Sequence, residues 1–198
     1  MRNQIIHKAT EMFLELGFKS VTMDDLAHEL SVSKKTIYDL VGKKSTLVEL
    51  VVQSVIAEID AEMSDVSNQK LDAITEMFAF RDIVVKRLRN QKASPQFQLK
   101  KYYQKTYDKY REKQIDIMSQ NIKKNILKGI QEAYYHDDLS INFVVNLYIV
   151  GLLDIKNEEL LNVEQFTPKQ LYHEFVLYHL RSMTTQKGQK KMNEILKA

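Results

Sequence analysis

Chain breakers are scarce in this sequence, and that limits the possible folds more than any other feature. Five glycines and two prolines serve 198 residues. Five of the seven, Gly17, Gly42, Pro95, Pro168 and Gly188, stand where an apolar stripe of helical period begins or ends. Sheets need Gly, Pro and Asn turns at short intervals, so the expectation is an all-α fold of about nine or ten helices. With 44% hydrophobic residues the chain can bury a core.

The stripes place the elements. Ile5, Ala9, Met12, Phe13 and Leu16 form one face of a first helix that stops at Gly17, with Phe18 free to fold back on the last turn. Thr22 and Asp25 have capping-box spacing, and Asp24 and Asp25 suit the positive end of a helix dipole. Leu26, Ala27 and Leu30 face inward. After a turn at Ser31-Val32, Ser33 caps a third helix with Ile37 and Leu40 inside, ended by Gly42. A fourth helix from about Lys44 carries Leu47, Val51, Val55 and Ile59. A fifth, with Leu71, Ile74 and Phe78, follows a polar stretch near 64–69 and runs to about Leu88. Asn90–Ser94 is expected as a loop, and Ser94-Pro95 and Thr167-Pro168 are each a cap followed by proline at the first helical position. The segment 95–132 is helical throughout and too long for one globular helix, so a break is expected near Tyr103–Gln104. Tyr134–Leu139 reads as a loop, and Leu139–Leu153 as a buried or interface helix. The last long helix has Leu171, Phe175 and Tyr178 on one side, and Gly188 separates a basic tail helix.

Several chemistries are excluded. Without cysteine there is no disulfide, thiolate catalysis or thiol redox sensing, and a cytoplasmic location is the default expectation. No apolar run reaches the length of a membrane span, and the N-terminus enters an amphipathic helix with no signal-peptide core. No Gly-rich phosphate loop, His-rich ligand spacing or nucleophile elbow is present, so no enzyme and no cofactor are expected. Glu158 and Glu159 could pair as catalytic acids, but adjacent residues do not face each other on a helix. His136 beside Asp137 and Asp138 reads as a helix entry and not a metal site. His173 and His179 read as interface or surface residues.

Three short helices with a tight second turn make a helix-turn-helix, in which one helix crosses the phosphate backbone and the next enters the major groove. Ser33, Lys34, Lys35, Thr36 and Tyr38 occupy the first two turns of the third helix. Their hydroxyls can donate to phosphate oxygens, and the lysines can neutralise phosphate or reach base edges. Lys43 and Lys44 open the fourth helix, a phosphate clamp, and Thr22 holds the equivalent place on the second. Each alone is commonplace, Ser33 being as much a cap as a contact; together they point to double-stranded DNA. The charge is local, because residues 1–50 balance 7 Lys/Arg against 7 Asp/Glu.

Ala9, Met12, Phe13, Gly17, Phe18, Val21, Thr22, Leu26, Ala27, Leu30, Val32, Ser33, Lys34, Lys35, Thr36, Ile37, Tyr38, Lys44 and Leu47, at this spacing, resemble the N-terminal signature of the TetR family of transcriptional regulators. The resemblance covers about 45 residues. It implies a DNA-binding domain over 1–45 and a helical ligand-binding and dimerisation domain over 46–198. It also implies a homodimer on palindromic operator DNA, joined through its last two long helices, with repression released by a small molecule. Leu171, Phe175 and Tyr178 are the expected interface residues. Three departures stand out. Ser31 replaces the usual turn glycine and is expected in a left-handed conformation. Lys35 replaces a small residue. Asp39, Leu40 and Val41 replace a polar-aromatic-aromatic run, which keeps open the alternative of a protein-interaction module that has lost DNA binding.

Residues 81–129 carry 14 Lys/Arg against 4 Asp/Glu. Lys101, Lys105, Lys109 and Lys113 form a like-charged stripe beside Tyr103, Tyr107 and Tyr110. The plain reading is a solvated lysine face beside a tyrosine core stripe. The sharper one makes Phe78, Tyr103, Tyr107 and Tyr110 the lining of a cavity with a cationic mouth, suited to an anionic amphiphile.

Overall fold

The computed structural model describes residues 1–88, 95–155 and 165–197, and among them it is all-helical. Ten helices follow in order: α1 (Arg2–Leu16), α2 (Met23–Glu29), α3 (Lys34–Val41), α4 (Lys44–Asn68), α5 (Ala73–Leu88), α6 (Pro95–Tyr102), α7 (Gln104–Gln131), α8 (Ile141–Asp154), α9 (Pro168–Met183) and α10 (Gln186–Lys197). The expected break falls at Tyr103, between α6 and α7. The expected loop at 90–94, the Ser94 cap and the Glu158–Glu159 pair lie outside the described residues. The chain divides into two compact units, Met1–Asp60 with Arg89–Gln114, and Ala61–Leu88 with Ile115–Ala198.

The first unit is built on α1, α2 and α3, which pack on one another. Ile5, Ala9, Phe13, Leu26, Ile37, Val41 and Leu47 form its core. Gly17 ends α1 with φ 91° and ψ 151°, a region open in practice only to glycine. The chain then doubles back, and Phe18 packs on Phe13 at 5.2 Å between ring centroids. Tyr103 stands 6.3 Å from Phe18 on its other flank, which ties the α6–α7 break to the same cluster. Two inward assignments fail. Leu16 is exposed because it lies in the last turn, past the point where the stripe meets α2 and α3, and Leu40 is exposed while its neighbour Val41 takes the inward position.

In the second unit α5 packs on α9 and α10, and α8 packs on α9. A buried polar network joins the start of α5 to α7 and the segment after it. The Asn125 amide donates to the Ala73 carbonyl at 2.9 Å, and the Tyr135 hydroxyl lies 3.2 Å from that carbonyl and 3.1 Å from Asn125 Oδ1. Burial and nearby carboxylates push the Tyr135 phenol well above its ordinary pKa, so it stays a donor. Lys128 pairs with the buried Glu76 at 2.7 Å. Thr167 and Gln170 form the capping box that opens α9. Gly188 does not separate the tail helix but lies in its first turn, where a Cβ would strike the Tyr134 carbonyl.

His179 is neither surface nor interface in this unit: it is buried, 4.7 Å from the Tyr148 ring and 6.3 Å from that of Phe175. Burial pushes its pKa down from 6.5 to about 4. A base depressed on folding leaves the unfolded chain holding more protons between those values, so stability falls as pH drops through that window. Lowering pH from 7 to 5 is expected to remove roughly 2 kcal/mol through this group alone. Urea denaturation of His179→Leu at both pH values checks this: the variant should show a smaller pH dependence than the parent by about that amount.

Candidate nucleic-acid interface

The site grows from three helix starts. At α2, the Thr22 hydroxyl accepts from the Asp25 amide at 3.1 Å, and the Asp25 carboxylate accepts from the Thr22 amide and hydroxyl, both at 2.8 Å. These bonds hold the Asp25 carboxyl below its usual pKa. At α3, Ser33 Oγ accepts from the Thr36 amide at 3.0 Å and lies 2.8 Å from the Thr36 hydroxyl. The turn between them is closed by Val32 donating to the Ala27 carbonyl at 3.0 Å, with Ser31 at φ 53°. The left-handed conformation expected for Ser31 is therefore present.

Side-chain bonds bring the three starts together. The Lys34 ammonium reaches Asp24 at 2.8 Å, linking the first turns of α3 and α2, and this partner raises the Lys34 pKa. The Lys44 ammonium donates to the Lys19 carbonyl at 3.2 Å, linking the start of α4 to the α1–α2 turn. Its partial burial lowers its pKa, against the opposing effect of Asp25. Positive ends of three helix dipoles thus meet with several cations, an arrangement suited to anions.

The eight residues expected to meet DNA all lie in this unit, in different states. Lys35, Tyr38 and Lys43 are exposed. Lys34 is exposed but ion-paired, and Lys44 is half-buried with its ammonium turned onto the backbone. Thr22, Ser33 and Thr36 spend their hydroxyls on capping. Asp39 is exposed beside them.

The expected cavity residues fall in different units. Tyr103, Tyr107 and Tyr110 belong to the first unit and Phe78 to the second. Each has partners in its own unit: Tyr103 has Phe18, Tyr107 accepts from Arg111 at 2.9 Å, Tyr110 is buried with its hydroxyl 3.5 Å from Glu49, and Phe78 lies under the Arg81 guanidinium at 4.9 Å. Lys101, Lys105, Lys109 and Lys113 are all exposed, the solvated face of the plain reading, and Lys109 pairs with Glu49 at 2.6 Å. The second unit has an open groove of about 370 Å³ lined by Ser119, Gln120, Lys123, Asn142, Val145 and Asn146, none of them anticipated. Among the described residues no group of three or more His, Asp or Glu could hold a metal.

The α8–α9 surface carries a second feature. Phe143, Leu147 and Val150 on α8 are 65, 52 and 59% exposed, and Tyr178 on α9 is 72% exposed. Of the expected interface residues only Tyr178 stands fully out; Leu171 and Phe175 are half-buried, Phe175 5.3 Å from Tyr148. Sequence reasoning passed over Phe143, Leu147 and Val150 individually. Their signal was an α8 apolar on two flanks, since Val145, Tyr148, Ile149 and Leu152 are buried on the other one.

Helices α1, α2 and α3 form a helix-turn-helix of the kind found in DNA-binding proteins. Residues 5–51 match the family described as bacterial regulatory proteins, tetR family. It is 35% identical over 78 residues to an uncharacterized HTH-type transcriptional regulator, YvaF, of Bacillus subtilis; the match spans 39% of this chain and 40% of that relative. The fold is similar to a transcriptional regulator from Cytophaga hutchinsonii (TM-score 0.71, 17% identity, 92% of this chain and 98% of that one). It is also similar to SmeT, solved as a complex with triclosan (TM-score 0.66, 13% identity, 93% and 92%). YvaF and the Cytophaga hutchinsonii protein are named as transcriptional regulators. No helix of the described residues is long and apolar enough to cross a membrane.

The strain at Ser31 yields a direct test. A left-handed conformation costs a residue with a Cβ about 1–2 kcal/mol, which glycine avoids while gaining freedom in the unfolded chain. Ser31→Gly is expected to raise stability by about 0.5–1 kcal/mol in urea denaturation, and loss of stability would show that the hydroxyl contributes more than the strain costs.

Proposed function

We propose that this chain is a ligand-responsive transcriptional repressor that binds palindromic operator DNA as a homodimer. The observation that carries the reading is the gathering of the α2, α3 and α4 starts with Lys35, Tyr38 and Lys43 left exposed. In this reading α3 enters the major groove. Lys35 and Tyr38 meet bases or phosphates, Lys43 meets the backbone, and Lys34 exchanges Asp24 for phosphate. Residues 1–45 act as the DNA-binding domain and 46–198 as the effector-binding and dimerisation domain.

The dimer is proposed through α8 and α9. A stripe of Phe143, Leu147, Val150 and Tyr178 is costly to leave in water and suits a self-complementary two-fold contact. The SmeT complex, which holds triclosan, supports a small-molecule effector in a protein of this fold. Helix α4 is one helix belonging partly to each unit, so an effector preferring another arrangement of the second unit can bias the spacing of paired recognition helices. Decisive release needs several kcal/mol of differential affinity. Location in the cytoplasm follows from the same reading. The alternative, an interaction module without DNA binding, is favoured by one observation, the exposed Asp39 on the recognition helix.

Two experiments test the proposal. Fluorescence anisotropy with duplex DNA from upstream of the chain's own gene should show saturable binding that weakens with KCl. Lys35→Gln/Lys43→Gln should lower affinity and flatten log K against log salt by ~0.9 for each phosphate no longer neutralised. Binding insensitive to these changes, or absent, supports the interaction module. Sedimentation velocity should show a dimer, with Leu147→Glu shifting it to monomer; an unchanged dimer would place the interface elsewhere.

A further inference from the structure

We propose that the DNA-facing surface of the first unit does not end at the helix-turn-helix but extends over Lys19 and the end of α6, where Lys101 and Tyr102 contact backbone phosphates flanking the operator. The inference rests on the DNA-binding reading above and adds a binding surface to it.

The side chains form an unbroken path. Lys44, at the start of α4, donates to the Lys19 carbonyl at 3.2 Å. The Lys19 ammonium lies 3.5 Å from the Tyr102 hydroxyl and 4.9 Å from the centre of its ring. The Lys101 ammonium lies 5.6 Å from the same ring and 5.6 Å from that of Phe97. Helix α6 is fixed to the α1–α2 turn by the Lys19 amide donating to Gln98 Oε1 at 2.9 Å. Gly17 makes room for it, since a Cβ there would overlap the Gln98 side chain. All these residues belong to one compact unit, so this surface moves with α2 and α3.

Charge identifies the occupant. Lys19, Lys100 and Lys101 are exposed, and among the described residues neither Lys19 nor Lys101 forms an ion pair. In the same unit Asp25 is committed to its capping box and Glu49 to Lys109. Two ammonium groups drawn to one exposed tyrosine repel each other, and among the described residues neither has a carboxylate partner. Cation–π attraction at an exposed site holds them there only weakly. A phosphodiester oxygen supplies the missing charge, and the Tyr102 hydroxyl supplies a donor. Phosphates recur regularly along a duplex, so a surface continuous with the helix-turn-helix meets further ones without reading their sequence.

The test measures how the affinity of the full-length chain for a duplex of its own upstream DNA depends on KCl, over roughly 50 to 200 mM. Three proteins are compared: the parent, Lys19→Gln/Lys101→Gln, and Lys35→Gln/Lys43→Gln. Removing Lys19 and Lys101 is expected to flatten the slope of log K against log salt by ~0.9 per lysine in each bound protomer. Affinity should fall about tenfold or more at the highest salt common to all three, with thermal stability unchanged. A slope equal to the parent's, while the recognition-helix variant still flattens it, overturns the extended surface and leaves the DNA-binding reading standing. Absence of binding by the parent, or no effect of the recognition-helix variant, overturns both.

Discussion

The first unit is organised by the return of Phe18 onto Phe13 across Gly17. The glycine adopts a conformation that a side chain would not tolerate, and the ring it delivers joins a core already containing Ile5, Ala9, Leu26 and Ile37. Deleting a buried aromatic ring typically costs about 3–5 kcal/mol, a large part of a domain's net stability. That burial fixes the point from which α2 departs and seats Tyr103, and with it the break between α6 and α7. The directions of α2, α3 and α4 then follow from local bonds: a capping box at Thr22, a hydroxyl cap at Ser33 and the Gly42 turn.

On this frame the electrostatics are selective. A count of lysines between 34 and 44 treats four cations alike, yet two are already engaged. Lys34 leans on Asp24, and Lys44 is drawn to a backbone carbonyl where burial disfavours its charge. Exposed ion pairs of this kind contribute little to stability, so Lys34 can exchange its partner for another anion at small cost. Lys35 and Lys43 have no such exchange to make. The same logic separates a neutral first fifty residues from a neutral surface: their acids are largely occupied as caps or partners.

Much of this was legible in the sequence because it depends on near neighbours. Helix stripes, the Thr22 capping box, the Thr167 cap and the break at Tyr103 are set by residues within a turn or two of each other, while the positive φ of Ser31 was implied by the resemblance to a family with glycine in that turn. What escaped was set by distant packing. Leu40 and Val41 are equally apolar, and only the position of α1 decides which turns inward. Tyr110 finds its partner in Glu49, far earlier in the chain. His179 is buried beside Tyr148, far away in sequence. An α8 apolar on two flanks announced an interface or a core without saying which flank was which.

The central claim is that the exposed starts of α2, α3 and α4 enter a duplex as a symmetric pair. Hydroxyl-radical footprinting of the chain on its own upstream DNA tests it most directly. The account predicts two protected patches whose centres lie about one helical turn apart, roughly 10–10.5 base pairs or a whole multiple of that, related by two-fold symmetry. A uniform protection pattern without that spacing, or none at concentrations where the chain is folded and dimeric, would contradict it.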